Sequence, residues 1–361
     1  MPITVRRSPH LVSYWRGQKL ILCDYSAKVS VVCDALILHV LDQCTDWTPR
    51  TVLQDRLTKV GLGDTARLID SLLDSGLLNS FEKTAPSRDR ALASWEHWNP
   101  WAGFFHMMSK AMAATPAAAV TEADLLAEYR AGKMPAQTKR YRRAAVTPLS
   151  RSGPPDDLFV SVLKARRTWR QFSRAAISRQ EVSTLLQLTA GVQATAQTRD
   201  FGTIHLKTSP SSGARQPLEA YVLAVRVDGL APGLYHYVPA RHALELVKKG
   251  ATARTVSSYI PEQRWYASAP LLFLLTAVFA RTQWKYRFPR AYRSVLLEAG
   301  HVCQTFCLVS TWLGLAPFCT GRFDDEVVER DLRIDGVSES FIYGGGVGRR
   351  PPGVAWAPNP L

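Results

Sequence analysis

The sequence is short of sulfur and of acid. Among 361 residues there are six cysteines (Cys23, Cys33, Cys44, Cys303, Cys307 and Cys319), and no two form a Cys-x-x-Cys pair. That sets aside the usual zinc-ribbon and dithiol redox motifs. His301-x-Cys303-x-x-x-Cys307 has a metal-like composition. Its spacing matches no zinc pattern and its surroundings are apolar, so these read as core residues and no metal is expected. No apolar run approaches the ~20 residues that cross a bilayer. The longest, Ala269 to Ala280, reads as a buried central strand. The opening residues, Met-Pro-Ile-Thr-Val-Arg-Arg, hold no apolar signal region. A cytoplasmic protein with reduced thiols and no membrane contact is expected. No internal repeat is visible.

Against 30 Asp and Glu stand 45 Lys and Arg, a net charge of +15. Such a balance suits nucleic acid, an anionic cofactor, an acidic peptide or plain solubility. The arginines are spread along the chain without a nucleic-acid-binding signature, which sets nucleic acid aside. A hydrophobic fraction of 46% is enough for an ordinary globular core. The length suggests more than one domain.

Residues 1–85 read as a small unit. Leu11 to Trp15 and Lys19 to Leu22 suggest a hairpin around Arg16-Gly17-Gln18. Val31 to Leu41, Thr48 to Val60 and Asp64 to Ser75 carry helical apolar spacing, and Gly76 follows as a helix stop. Two strands and three helices suit a winged-helix or peptide-clamp-like domain. The last helix is apolar and acidic where a DNA-reading helix is basic, which favours peptide binding or a structural role. Residues 86–150 are a helical linker region. They crowd Trp95, Trp98, Trp101, Phe104 and Phe105 together, a cluster best read as packing between domains. Thr147 to Pro155 is the best linker.

Residues 151–361 alternate helices and strands, an α+β pattern around one sheet. Ser178-x-x-Glu181 is a capping box opening a helix over Val182 to Thr189. Leu218 to Val227, Gly233 to Val238 and Leu271 to Phe279 read as strands. Tyr292 to Leu313 reads as a long helix stopped by Gly314. Ser340 to Tyr343 reads as a last short strand before Gly344-Gly345-Gly346.

Several blocks carry chemistry. In Arg166-Arg167-Thr168-Trp169-Arg170-Gln171-Phe172, three arginines and a hydroxyl lie within five residues. At helical spacing Arg166 and Arg170 share a face. Such a group is either a solvated basic face or a phosphate clasp, since Arg presents a rigid fork of donors. Pro210-Ser211-Ser212-Gly213-Ala214-Arg215-Gln216-Pro217 is a small-residue loop that lets backbone approach a flat or phosphorylated ligand. Then come Lys285-Tyr286, the helix Leu297-Glu298-Ala299-Gly300-His301, the segment Thr320-Gly321-Arg322-Phe323-Asp324-Asp325, and Gly348-Arg349-Arg350-Pro351. Alone, Lys285-Tyr286 is an ordinary surface pair.

In this order, over about residues 156–352, the blocks resemble the nitroreductase superfamily. The match is closest to its SagB-type dehydrogenases, the branch holding the thiazoline and oxazoline oxidases of peptide natural-product pathways. Ser211-x-Gly213-Ala214-Arg215-x-Pro217-Leu218-Glu219, Gly233-Leu234-Tyr235-His236-Tyr237 and the Glu298-Ala299-Gly300-His301 helix are similar to that branch. One departure is Thr168 where Ser is usual, and it keeps the hydroxyl.

The resemblance implies a nitroreductase-like FMN-binding fold: a central mixed sheet flanked by helices, with a dimer core helix. It implies FMN as cofactor, held by Arg166, Arg167, Thr168, Arg170, Pro210, Ser211, Ser212, Gly213, Ala214, Arg215, Thr320, Gly321 and Arg349. It implies Lys285 and Tyr286 as the catalytic pair. A lysine buried beside other cations would act as a base near neutrality. The implied enzyme is a homodimer oxidising an azoline to the azole by proton abstraction and hydride transfer to FMN, reoxidised by O2. The resemblance further implies a peptide or carrier-bound azoline as substrate, contacted by the N-terminal domain, and biosynthetic partner enzymes. The alternatives are another FMN-dependent oxidation of a peptide or carrier-bound amino acid, a generic NAD(P)H-dependent nitro/quinone reductase, and a peptide-binding scaffold without activity.

Overall fold

The computed structural model describes residues 3–81, 92, 95–110, 123, 126–127, 130–132, 157–199, 202–354 and 356. Residues 3–81 hold six short strands and three helices. Strands β1 (Thr4–Arg7), β5 (Thr48–Pro49) and β6 (Leu78–Ser80) form one sheet in the order β5-β1-β6. Strands β2 (Leu11–Arg16), β3 (Lys19–Asp24) and β4 (Val29–Cys33) form a meander. The expected hairpin is there, with Arg16 opposite Lys19 and Gly17 at a φ of 61° in the two-residue turn. Helices α1 (Leu36–Asp42), α2 (Arg50–Lys59) and α3 (Thr65–Asp74) pack over Val5, Leu53, Leu57 and Ile69.

The helix expected over Val31 to Leu41 is half strand. Val31 pairs with Leu22 and Val32 with Ile21, so β4 ends the meander and α1 begins only at Leu36. The β-branched run Val29-Ser30-Val31-Val32 fits a pleated, half-buried surface better than a helix.

Helix α4 (Asn99–Ser109) follows. Trp95 and Trp98 are buried against Phe279 and Tyr292, as expected of a packing cluster, whereas Trp101 and Phe105 are exposed. The Ala-rich segment Ala111 to Ala119 and the Thr147 to Pro155 linker lie outside the described residues.

Beyond residue 157 come α5 (Leu158–Ala165), β7 (Ile177–Ser178), α6 (Arg179–Ala190), and the hairpin of β8 (Val192–Thr198) and β9 (Gly202–Lys207). Next are β10 (Leu218–Ala224), β11 (Val227–Asp228), β12 (Gly233–Val238), β13 (Ala243–Lys249), α7 (Ala253–Tyr259), β14 (Leu271–Val278) and α8 (Phe279–Gln283). Last are α9 (Ala291–Trp312), β15 (Leu315–Thr320), α10 (Asp325–Leu332) and β16 (Glu339–Arg349). The capping box is realised, with both the Ser178 and Glu181 arms of α6 formed.

The main sheet has the order β13-β12-β10-β14-β16-β15. It was expected to be mixed, but all five pairings are antiparallel. The parallel pairing is the short β7–β11 contact to one side. The apolar run 271–278 is continuous because both faces of β14 are covered. Leu271, Phe273 and Leu275 face the α6 and α9 side, while Leu272 and Leu274 face the α7 and α10 side.

The last strand is longer than expected, since Gly344-Gly345-Gly346 continue it as pairs of Thr320, Cys319 and Phe318. The glycines are there for clearance. A Cβ on Gly345 would lie 2.1 Å from the Phe318 carbonyl oxygen, and one on Gly346 2.7 Å from that of Leu271.

Candidate functional site

Lys285 and Tyr286 follow the short helix α8, at the end of the most buried strand. Backbone bonds from Lys285 and Tyr286 to Thr282 close the turn at 3.2 and 2.9 Å. The Trp98 indole donates to the Tyr286 carbonyl at 3.0 Å. An aromatic from the linker region therefore braces the backbone of the pair. Lys285 Nζ lies 5.6 Å from the centre of the Tyr286 ring. Lys285 is exposed and Tyr286 half-buried. The burial expected of a desolvated lysine is not present within one chain.

The Pro210–Ala214 loop lies directly against this pair. A Cβ on Gly213 would stand 2.7 Å from the Tyr286 hydroxyl and 2.9 Å from Lys285 Nζ. Glycine is required twice, for the approach and for its φ of 59°. Ala214 and Gln216 are also left-handed, at φ 54° and 47°. Such strain collects where the surrounding structure fixes it for function. The Ser211 hydroxyl accepts the Gln216 amide at 2.9 Å, and Arg215 Nε donates to the Gly213 carbonyl at 3.0 Å. Arg215 also stacks over Trp284 at 5.1 Å.

The arginine block is not helical, so Arg166 and Arg170 do not share a helix face. Helix α5 ends at Ala165, Arg166 is its cap with ψ 123°, and Trp169 donates its amide to Pro317 at 2.9 Å. The chain runs on outside any helix because Trp169, 8% exposed, seats beside the β15 edge. Arg166, Thr168 and Arg170 then alternate with Arg167 and Gln171, half-buried against exposed. Among the described residues neither Arg166 nor Arg170 pairs with a carboxylate. Arg166 places its charge near Cys307 and Cys319, whose thiols lie 3.5 Å apart, and Arg170 near Tyr266.

The remaining expected residues scatter. Arg167 is exposed, donates to the Lys164 and Arg166 carbonyls at 2.8 and 2.7 Å and stacks on Trp356. Arg349 is committed to Glu181 at 2.7 Å and to the Ala176 carbonyl at 3.1 Å. Its neighbour Arg350 stands over Trp169, inside the arginine block, at 5.4 Å. Thr320 is buried and donates to Gln263 at 2.7 Å. Gly321 opens onto a separate cleft of about 170 Å³ with Tyr292, Phe323, Asp325 and Tyr343. Burial in that cleft raises the Asp325 carboxyl to about 7.

Two groups therefore assemble: the loop with Lys285 and Tyr286 near the start of α9, and the arginine block near its end. A family model for nitroreductases matches residues 163–349, just over half the chain and nearly all of these groups.

The chain belongs to the nitroreductase family.

Nitroreductase-family proteins are generally FMN-dependent oxidoreductases. The chain is 33% identical to the nitroreductase-like protein MJ1384 of Methanocaldococcus jannaschii, over 48% of this chain and 83% of that one. It is 33% identical to the trifolitoxin-processing protein TfxB of Rhizobium leguminosarum bv. trifolii, but over only 38% of each chain. Its fold is similar to a chain of the Escherichia coli microcin synthetase McbBCD complex with truncated pro-MccB17 bound. The TM-score there is 0.52 at 20% identity, covering 66% of this chain and 85% of that one.

Within this nitroreductase-family site the sequence pointed past one residue. Glu298, quoted only as part of a helix signature, is 5% exposed; burial raises its carboxyl to about 7, offset in part by the nearby Ser211, Lys207 and Ser212. A glutamate amid the apolar residues of a long helix was the available signal, because buried acids are rare without partners.

Proposed function

We propose that the protein is an FMN-dependent dehydrogenase that oxidises an azoline, thiazoline or oxazoline, to the azole on a peptide or carrier-bound substrate. The observation that carries it is the contact of Gly213 with Lys285 and Tyr286. The small-residue loop and the pair, about 70 residues apart in sequence, close into one surface.

The residues fit FMN. Arg166 and Arg170, half-buried and without a carboxylate among the described residues, supply the charged donors that a phosphate takes. The loop offers a cradle with no side chain at Gly213. FMN, when bound, supplies the hydride acceptor, and O2 then takes the electrons. The chain supplies the base. Removing two hydrogens from adjacent ring carbons requires a group to receive the proton, and Lys285 with the Tyr286 hydroxyl is placed to do so. A substrate closing over Lys285 would exclude the water that now reaches it. TfxB is named for trifolitoxin processing and the McbBCD complex is a microcin synthetase with truncated pro-MccB17 bound, which supports a peptide substrate and partner enzymes.

We place the complete site at a homodimer interface. Helix α5 buries no residue within the chain, leaving Leu158 and Phe159 67% and 66% exposed. On α9, Leu297 is 64% exposed. Helices this apolar bury their faces against a partner. Glu298 and Cys307, which mark the two groups, are nine residues apart, roughly 13.5 Å along α9. Two-fold pairing would bring the arginine block of one chain toward the loop of the other.

The test is a pair of variants. Lys285→Ala and Tyr286→Phe are expected to stay yellow and to lose about 10²-fold or more of the two-dalton oxidation of an azoline peptide, read by mass spectrometry. Full activity in both would remove the pair from the chemistry. Fast steady NADPH oxidation by the wild type would favour the generic reductase instead.

A further inference from the structure

We propose that the open cavity beside residues 214–216 is a carboxylate-binding subsite. In it Lys207 and Arg215 hold an acidic side chain, or the chain terminus, of the substrate peptide next to the ring that is oxidised.

The cavity holds about 360 Å³, within the range of ligand sites. Its walls come from the β8–β9 hairpin, residues 214–216, the start of β10, the turn between β12 and β13, and α8. Two of these segments also bring Lys285 and Tyr286 together. Gly213 makes the close approach to the pair, and its next neighbours Ala214, Arg215 and Gln216 line the cavity. Arg281 lines it from α8, four residues before Lys285, and donates to the Gln216 carbonyl at 2.9 Å. The pair and the cavity are thus separated by one to three residues of a single loop. An extended substrate advancing about 3.3 Å per residue spans that distance with a residue or two beyond the ring.

Charge selects the ligand. Lys207, Arg215 and Arg281 line the cavity against one carboxylate, that of Glu219. Glu219 is already matched, with Arg281 Nη2 at 2.5 Å and His236 Nε2 at 2.9 Å. Arg215 gives its Nε to the Gly213 carbonyl at 3.0 Å, which leaves the Nη groups for another acceptor. Among the described residues no hydrogen bond or ion pair engages Lys207. Burial holds its ammonium below the usual lysine range, although Glu219 and Glu298 oppose that shift. A desolvated cation in that position gains from a further anion. A carboxylate has two acceptor oxygens for an ammonium and a guanidinium. It also brings a single charge, where a phosphate would set a second one against Glu219.

That the carboxylate belongs to the substrate rests on the reading of Lys285 and Tyr286 as the oxidising pair, so binding and turnover are measured apart. The probes are three thiazoline peptides, rhodamine-labelled at the amino end and ending one residue beyond the ring. One ends in Glu amide, one in Gln amide and one in Gln with a free carboxylate. By anisotropy, a carboxylate peptide is expected to bind about tenfold or more tighter than Gln amide. Which of the two gains separates a side chain from a chain terminus. In Lys207→Met the preference should vanish. Lys249→Met, an equal loss of charge at an exposed position outside the cavity, should keep it. The wild-type comparison stands by itself should Lys207→Met fold poorly. Equal binding of all three peptides to the wild type would overturn the subsite, as would a preference lost equally in both variants. A carboxylate preference without the two-dalton oxidation would uphold the subsite and overturn the azoline reading. Oxidation of all three with equal affinity would do the reverse.

Discussion

Gly213 shows how closely one residue can set a site. Gly213→Ala would force an L-residue to a φ of 59° and place a methyl within 3 Å of Lys285 Nζ and the Tyr286 hydroxyl. We expect a loss of about 1–2 kcal/mol in urea unfolding from the backbone alone, with turnover falling further because the pair must move. His106 gives a second prediction. It is 2% exposed, with Nε2 3.1 Å from the Gly336 carbonyl and Nδ1 3.0 Å from the Tyr292 hydroxyl. A carbonyl only accepts, so Nε2 carries the proton and the ring is neutral. Burial, with Lys110 nearby, depresses its pKa to about 3. The unfolded chain therefore binds the extra proton first. Stability from this group is complete above about 6.5 and is lost as pH falls toward 3, by roughly 1.4 kcal/mol per pH unit. Urea unfolding at pH 5.5 and 4.5 should show that fall in the wild type relative to His106→Phe, in which the other titrating groups cancel. At this scale the sequence displayed the loop and the pair as motifs. It did not display their contact, because contact depends on where α8 ends. Nor did it display the burial of Glu298 beside Ser211 and Ser212, almost ninety residues away.

At the scale of elements, patterns with one clear period were legible and patterns with two meanings were not. The strand over residues 271–278, the helix over 291–312 and the capped helix over 179–190 follow their signals to within a few residues. Val31 to Val32 satisfied both a helical and an extended pattern, and pairing with β3 decided it. The arginine block had helical spacing, yet the β15 edge offered Trp169 a seat and kept the chain out of a helix. Three successive glycines looked like a strand end. They are instead the condition for β16 to lie flat between β14 and β15. Gly345→Ala, with its methyl 2.1 Å from a backbone oxygen, should cost about 3 kcal/mol, the upper end for overpacking. Thermal unfolding would check it, and a variant as stable as the wild type would contradict the register.

For the whole molecule, composition left open what covers a helix as apolar as α5. The proposed homodimer would cover it, and the prediction is a particle of twice the chain mass by sedimentation. Leu297→Glu puts a charge on an exposed position, so the fold should persist while the dimer weakens and FMN retention falls with it. A variant that stays dimeric and yellow would place the interface elsewhere.

The Trp98 indole, hydrogen-bonded to the Tyr286 carbonyl, has a consequence for modular exchange. Trp95 likewise donates to the Val337 carbonyl at 3.3 Å. By these bonds the tryptophans belong with the nitroreductase-family part of the chain, although they precede the family match by more than sixty residues. A chimera that grafts a new N-terminal module must therefore be cut ahead of residue 92. Cut at the family boundary, it would inherit Lys285 and Tyr286 with a backbone that has lost its brace.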